Sequence, residues 1–363
     1  MKRKIYLLLL LLLIIRPVPA GASALPREIE DALPQQAEEL LKELDTDTMD
    51  HHALSRGGWA LWEKAVSSLR DVLAERMSSP VLLLCVVVLC AVAEECFQAA
   101  GNTGVRNVVP MVGTLAITMI AAGNMKALIG MGVETLEQLD VFSKALLPTL
   151  AAAVAAGGGV ISAGVKQVVT VLFADLLISL IRNILLPLVY CYIAAAAAGA
   201  MLPEQKLDHL SRGIRKGITW LLAGSLIIFT SYLTLSGAIT GSADALTVQL
   251  TRSAIGTVVP VVGNIINDAT LSVLTGAQVL KNSIGVTGML AVLAVCLLPF
   301  LHLGIQYLLY KLTAFLAGAV GSEALMKLID ALGSAFGLVL GMTGTSALVL
   351  LISVASSVAV SMV

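Results

Sequence analysis

Apolar and polar positions along this chain follow two different rhythms. From residue 81 onward, apolar stretches long enough or nearly long enough to span a bilayer succeed one another at 81–100, 108–131, 145–163, 168–201, 217–239, 258–280, 285–303, 305–320 and 332–363. About 20 apolar residues match about 30 Å of hydrocarbon. Nearly all these stretches carry Gly, Ala, Ser or Thr at close spacing, as membrane helices that pack tightly do. The pattern predicts an all-α, polytopic helical membrane protein and argues against a barrel. Ahead of residue 80, apolar residues recur at threes and fours instead. Leu33, Ala37, Leu40, Leu41 and Leu44 mark one amphipathic helix, and Trp59, Trp62, Val66, Leu69 and Leu73 a second that runs almost directly into the first span.

The first residues follow a third pattern. Lys2, Arg3 and Lys4 precede an apolar run at 5–15, and PVPAGASA then ends at Ala24. This is the charge, apolar core and small-residue cleavage site of a secretory signal. Eleven apolar residues cover only about 16 Å, about half of a hydrocarbon core. The expected organisation is a signal peptide at 1–24, a short extracytoplasmic helical region at 25–79, and a membrane domain at 80–363. Trp59 and Trp62 on the second helix suit either the headgroup level or a docking surface for another protein.

Composition sharpens this picture. The chain is 58% hydrophobic and 13% charged, with a mean hydropathy of +0.92, whereas soluble domains carry roughly a quarter charged residues. A net charge of −1 gives no reason to expect a nucleic-acid partner. Cys85, Cys90, Cys96, Cys191 and Cys296 lie in or beside apolar runs, with neither a disulfide framework nor zinc spacing. The loop DTDTMDHH at 45–52 lacks the glycine and the closing glutamate of a calcium loop, so no metal and no cofactor is expected.

The stretch at 168–201 would be about 50 Å long as one helix. Arg182, Asn183 and Pro187 interrupt it, which predicts a broken or re-entrant pair. The basic loop at 206–216 is expected in the cytoplasm, and with nine separate stretches it reaches that side only if 168–201 breaks. An internal echo pairs VVPMVG at 108–113 with VVPVVG at 258–263, and the LLP at 146–148 with that at 297–299, suggesting a repeat of 108–163 in 258–303.

Ionisable and polar groups within apolar runs are the candidate functional residues, because burying a charge in lipid costs about 2.5–3.5 kcal/mol on insertion scales. Asp175 and Arg182, seven residues apart, fall on nearly one helix face and form a candidate structural ion pair. Asn264, Asn267, Asp268, Thr275 and Gln278 make a polar stripe of nearly four turns, a candidate transport path or helix-to-helix glue. Gly333, Gly337 and Gly341 recur every four residues as a helix-packing face. His302, flanked by apolar residues, reads as a packed core histidine. Neither the Gly-x-Gly-Asp setting of an intramembrane aspartyl protease, nor a serine-nucleophile motif around Ser346, nor a phosphate-binding loop is present, so no catalytic residue is expected.

The run VVPVVGNIINDATLSVLTGAQVLKNSIGVTGML, 258–290, resembles the most recognisable stretch of the stage III sporulation protein AE family of endospore-forming bacteria. The signal peptide, short acidic outer region and succession of spans agree with that family. The resemblance implies a component of the channel complex joining mother cell and forespore during engulfment, seated in the mother-cell membrane. It implies as partners the other membrane proteins of the stage III sporulation operon and a forespore-side protein, with a cytoplasmic ATPase a further candidate. No catalytic residue carries over. Three readings stay open: a pore or permease subunit, a scaffold that assembles the complex without conducting, and a stand-alone secondary transporter.

Overall fold

The computed structural model describes residues 53–99, 108–201, 205–258, 263–320 and 323–359, together with Ile29, Ala32, Leu33 and Glu38; positions 53–54, 98, 160–162, 205–206, 237–258 and 263–274 are described by backbone alone. The expected signal peptide, most of the first expected amphipathic helix and the 45–52 segment lie outside the described residues. So do part of the VVPVVG segment and the side chains of Asn264, Asn267 and Asp268.

Every regular element among the described residues is helical. In chain order they are α1 (Ala53–Arg76), α2 (Ser78–Ala99), α3 (Val108–Ala156), α4 (Val160–Leu180), α5 (Leu186–Met201), α6 (Gln205–Val258), α7 (Gly263–Val320) and α8 (Glu323–Val358). Six of the resulting helical stretches are long and apolar enough to cross a membrane. The fold is that of an all-α, multi-spanning helical membrane protein. Helix α1 passes into α2 almost without interruption, since the Met77 amide donates to the Leu73 carbonyl at 3.0 Å and the Val81 amide to the Met77 carbonyl at 3.2 Å. The turn from α3 to α4 is made by three glycines, and Gly158 takes φ 96°, a left-handed conformation that costs glycine nothing.

Two expectations about the spans need correction. The stretches at 108–131 and 145–163 are not separate spans; α3 carries the first and most of the second, to Ala156, through 49 residues. The segment between them continues the helix because Leu136, Leu139 and Phe142 are buried while Glu134, Glu137, Asp140 and Lys144 share other faces. In the same way α7 joins the stretches at 285–303 and 305–320. Nor does 168–201 break or re-enter. It forms one continuous helical stretch, Ala163–Met201, interrupted only by a π turn at Ile181–Leu185. That wider turn accommodates Pro187, whose ring would otherwise meet the carbonyl four residues earlier. The two corrections compensate each other. With α3 running once through the bundle, the end of α5 at Met201 lies at the opposite end from the start of α1, and no break is needed.

Contacts between helices give their directions. Gly57 meets Leu290, Arg76 meets His302 and Ser79 meets Tyr310, so α1 and α2 run parallel to α7. Gly113 faces Leu325 and Gly132 faces Val339, so α3 runs with α8. Lys166 reaches Ser356 and Thr170 meets Ser353, so α4 runs against α8.

Two apolar cores are stacked along the bundle. The first gathers Leu83 and Val87 of α2, Ile117–Leu136 of α3, the α4–α5 junction, α6 and the facing halves of α7 and α8. The second holds Ile29, Leu33 and Leu61 with Leu139–Ala153 of α3, Ile284–Cys296 of α7 and the last turns of α8. Half-exposed ion pairs ring the level between them: Lys144 with Asp140 at 2.9 Å and Asp175 at 3.2 Å, and Arg182 with Glu137. Arg76 donates to His302 Nδ1 at 3.2 Å at the same level, so His302 is a hydrogen-bonded junction residue and not merely a packed core histidine.

Candidate functional site

The first core is not wholly apolar. Tyr310 of α7 is fully buried, and its hydroxyl lies 3.0 Å from Ser79 Oγ of α2. Asn124 of α3 and Gln306, one turn back on α7 and also fully buried, lie near the same hydroxyl, Gln306 without completing a hydrogen bond to it. The ring packs edge-on against Phe336 of α8 at 5.0 Å. Three helices thus contribute polar atoms to one knot, and a fourth closes over it. An unpaired polar group in an apolar interior costs about 1–3 kcal/mol, and both amide atoms of Gln306 are buried here without a hydrogen-bond partner, so the knot is a costly one.

One residue beyond Tyr310 the chain turns polar again. Lys311 Nζ donates to Asp330 Oδ1 at 2.6 Å and Ser334 Oγ at 2.8 Å, and lies 5.8 Å from the Tyr307 ring centre. These groups open into a cavity of about 400 Å³ between the α5–α6 and α7–α8 hairpins. Its wall includes Tyr192, Asp208, Arg212, Arg215, Lys327 and Asp330. Toward the other end of the bundle, Lys166 is buried and donates to the Ser356 carbonyl at 2.9 Å and its hydroxyl at 3.0 Å. Lys281 of α7 is likewise buried.

The residues singled out from the sequence are distributed as follows. Asp175 and Arg182 do not pair with each other; both turn to α3, Asp175 to Lys144 and Arg182 to Glu137. Seven residues is two helical turns, about 10 Å of rise, too far for direct contact when a neighbouring helix offers nearer charges. Of the polar stripe, Thr275 is exposed and Gln278 half-buried, while Asn264, Asn267 and Asp268 lie on a part of α7 described by backbone alone. Gly333 faces Tyr310 and Gly337 faces Tyr307, whereas Gly341 has only Leu222 of α6 nearby. Trp59 and Trp62 are 71% and 62% exposed, and Val66, Leu69 and Leu73 continue that exposed face. The buried face of α1 is instead Leu61, Ala65 and Val72.

Sequence reading passed over Lys166, Lys281, Gln306 and Tyr310. The signal for Gln306 was present, since it sits in an apolar run as Asp175 does, whereas Lys166 and Lys281 stand in the gaps between apolar stretches, where a lysine reads as part of a connection. Tyr310 gave no such signal, because a tyrosine among leucines reads as packing. All five cysteines are free thiols, and no metal-holding group of His, Cys, Asp or Glu occurs among the described residues.

Comparison with known proteins places the chain. It is 25% identical over 271 residues to stage III sporulation protein AE of Bacillus subtilis (strain 168), a match covering 74% of this chain and 68% of that one. No solved structure matches. The family model for stage III sporulation protein AE matches residues 46–361, a range containing α1 to α8, the polar knot and the charged cavity. This multi-spanning helical protein belongs to the stage III sporulation protein AE family, a family of sporulation-associated membrane proteins.

Proposed function

We propose that the chain is a membrane subunit of the channel or transport complex linking mother cell and forespore, needed for forespore development during engulfment. In this reading it sits in the mother-cell membrane around the forespore, with residues 25–79 outside the cytoplasm and 202–216 inside. The bilayer surrounds the first core. The ion-pair ring then lies at the outer headgroups, where half-exposed charges are tolerated, and the basic cavity at the inner ones. Helix α2, with 22 residues, is about 33 Å long and fits that thickness. Partners are the other membrane proteins of the operon, a forespore-side protein and a cytoplasmic ATPase, and the chain has no catalytic centre of its own.

The observation that carries this reading is the polar knot around Tyr310, which places costly polar groups where leucines would pack as well. Besides the cavity of about 400 Å³, two others of about 10 Å³ each lie beside Lys166 and Ser346, room for one water at most. In this reading a route is completed between copies or with partners. The second reading, a scaffold that does not conduct, is favoured by the exposed Trp59–Leu73 face of α1, a surface suited to holding a partner. Release of graded-size solutes from vesicles separates the two. The chain alone should be tight, and the chain with its operon partners should leak in a way that Gln306→Leu abolishes while the complex still assembles. Leakage indifferent to Gln306→Leu would leave the scaffold.

A further inference from the structure

The cavity between the α5–α6 and α7–α8 hairpins plays no part in the channel reading, and its wall is chemically specific. Its two lysines are matched. Lys311 meets Asp330 at 2.6 Å, and Lys327 meets Glu323 at 2.8 Å and Asp208 at 3.9 Å. Its two arginines are not. Among the described residues neither Arg212 nor Arg215 has an ion-pair partner, and Arg212 Nε reaches only the main-chain carbonyl of Asp208, at 3.1 Å. The two stand three residues apart on α6, so both guanidinium groups leave the same side of the helix. A guanidinium presents a planar fork of donors that suits phosphate better than an ammonium does. Tyr192 and Ser211, both buried, add hydroxyls to the same wall.

The rest of the wall has a different character. Phe315 is 75% exposed and lines the cavity with Ala314 and Ala331. A site for a purely ionic ligand has no use for an exposed phenyl ring beside it. A ligand with a phosphoryl head and an apolar body uses both sides. The lining carries four cationic side chains against two carboxylates, Asp208 and Asp330. A volume of about 400 Å³ falls in the range of small-molecule sites, about 300–1,000 Å³.

We infer that this cavity binds the phosphoryl group of an anionic phospholipid, held by Arg212 and Arg215, with its acyl chains leaving past Phe315. The lipid clamps the α5–α6 hairpin to the α7–α8 hairpin. Free inorganic phosphate shares the head-group chemistry but not the apolar body.

The test uses the full-length chain in neutral detergent and a fluorescent short-chain phosphatidylglycerol followed by anisotropy. Binding should saturate at one probe per chain, yield to unlabelled phosphatidylglycerol and resist phosphatidylcholine. R212Q/R215Q should weaken it at least about tenfold, the worth of one charge-assisted hydrogen bond. R212K/R215K, which keeps the charge and loses the fork, should fall in between and guards against misfolding of the glutamine pair. K64Q/R70Q on α1 removes equal charge elsewhere and should change nothing. Binding that survives both arginine variants, or that phosphatidylcholine displaces equally, overturns the site. Saturable displacement by millimolar inorganic phosphate with no saturable lipid binding overturns the lipid assignment in favour of a soluble phosphoryl ligand.

Discussion

Gly333 and Gly341 lie on one nominal face of α8, yet the structure gives them opposite consequences when a methyl group is added. A Cβ at Gly333 would stand 3.0 Å from Tyr310 Cβ and 3.5 Å from the main-chain nitrogen of Lys311. Neither neighbour is the free end of a flexible side chain, so α7 and α8 must move apart. At Gly341 the nearest atom is Leu222 Cδ1 at 3.8 Å, an ordinary contact. The difference follows from geometry, because each step of four residues turns about 40° around the helix; eight residues carry the face from α7 to α6. Gly→Ala raises helix propensity by up to about 1 kcal/mol at either site, and overpacking costs about 1–3 kcal/mol only at Gly333. The propensity gain cancels in the comparison. Gly333→Ala should therefore be less stable than Gly341→Ala by about 1–3 kcal/mol, with Gly341→Ala equal to or better than the parent. Displacing Tyr310 also strains its bond to Ser79, so Ser79→Ala should cost less in the Gly333→Ala background than alone. Unfolding in mixed micelles of rising SDS fraction, followed by far-UV circular dichroism, measures each value. Equal shifts for the two alanine variants would refute the close approach of α7 and α8.

Three further outcomes are expected. Arg182→Glu should lower accumulation and Glu137→Arg should restore it, whereas Asp175→Arg should not. Quantitative blots of the single and double variants check this, and the coupling should be no more than about 1 kcal/mol for so exposed a pair. Changing Trp59 and Trp62 together to Ala should leave stability within about 0.5 kcal/mol, because both rings are exposed, while co-purification of operon partners falls; undiminished co-purification would remove α1 as a docking surface. In a cysteine-free background, Cys at Gly157 should react with an impermeant reagent on intact cells, and Cys at Gly217 only after lysis. The reverse pattern would invert the proposed orientation.

Hydropathy along the chain was enough to determine the class of this protein, because the free energy of moving a residue into lipid belongs to that residue and its near neighbours. It marked where apolar helix begins at 108, and it drew out the apolar row Trp59, Trp62, Val66, Leu69 and Leu73. It did not determine which face of a helix meets protein and which meets lipid or a partner, since both surroundings favour the same side chains. That row was legible as a stripe, and only tertiary packing decided that Leu61, Ala65 and Val72 are the buried face of α1. Counting helices failed for a related reason. Residues 132–144 look like a polar connection because of Glu134, Glu137, Asp140 and Lys144, but Leu136, Leu139 and Phe142 find a core to bury in, and burial carries the helix through. Asp175 and Arg182 looked like partners on one face until a neighbouring helix brought Lys144 to the first and Glu137 to the second. The knot at Tyr310 was least legible of all. Ser79, Asn124 and Gln306 lie on three different helices, and their meeting depends on how those helices are docked, a property that no local stretch of the sequence contains.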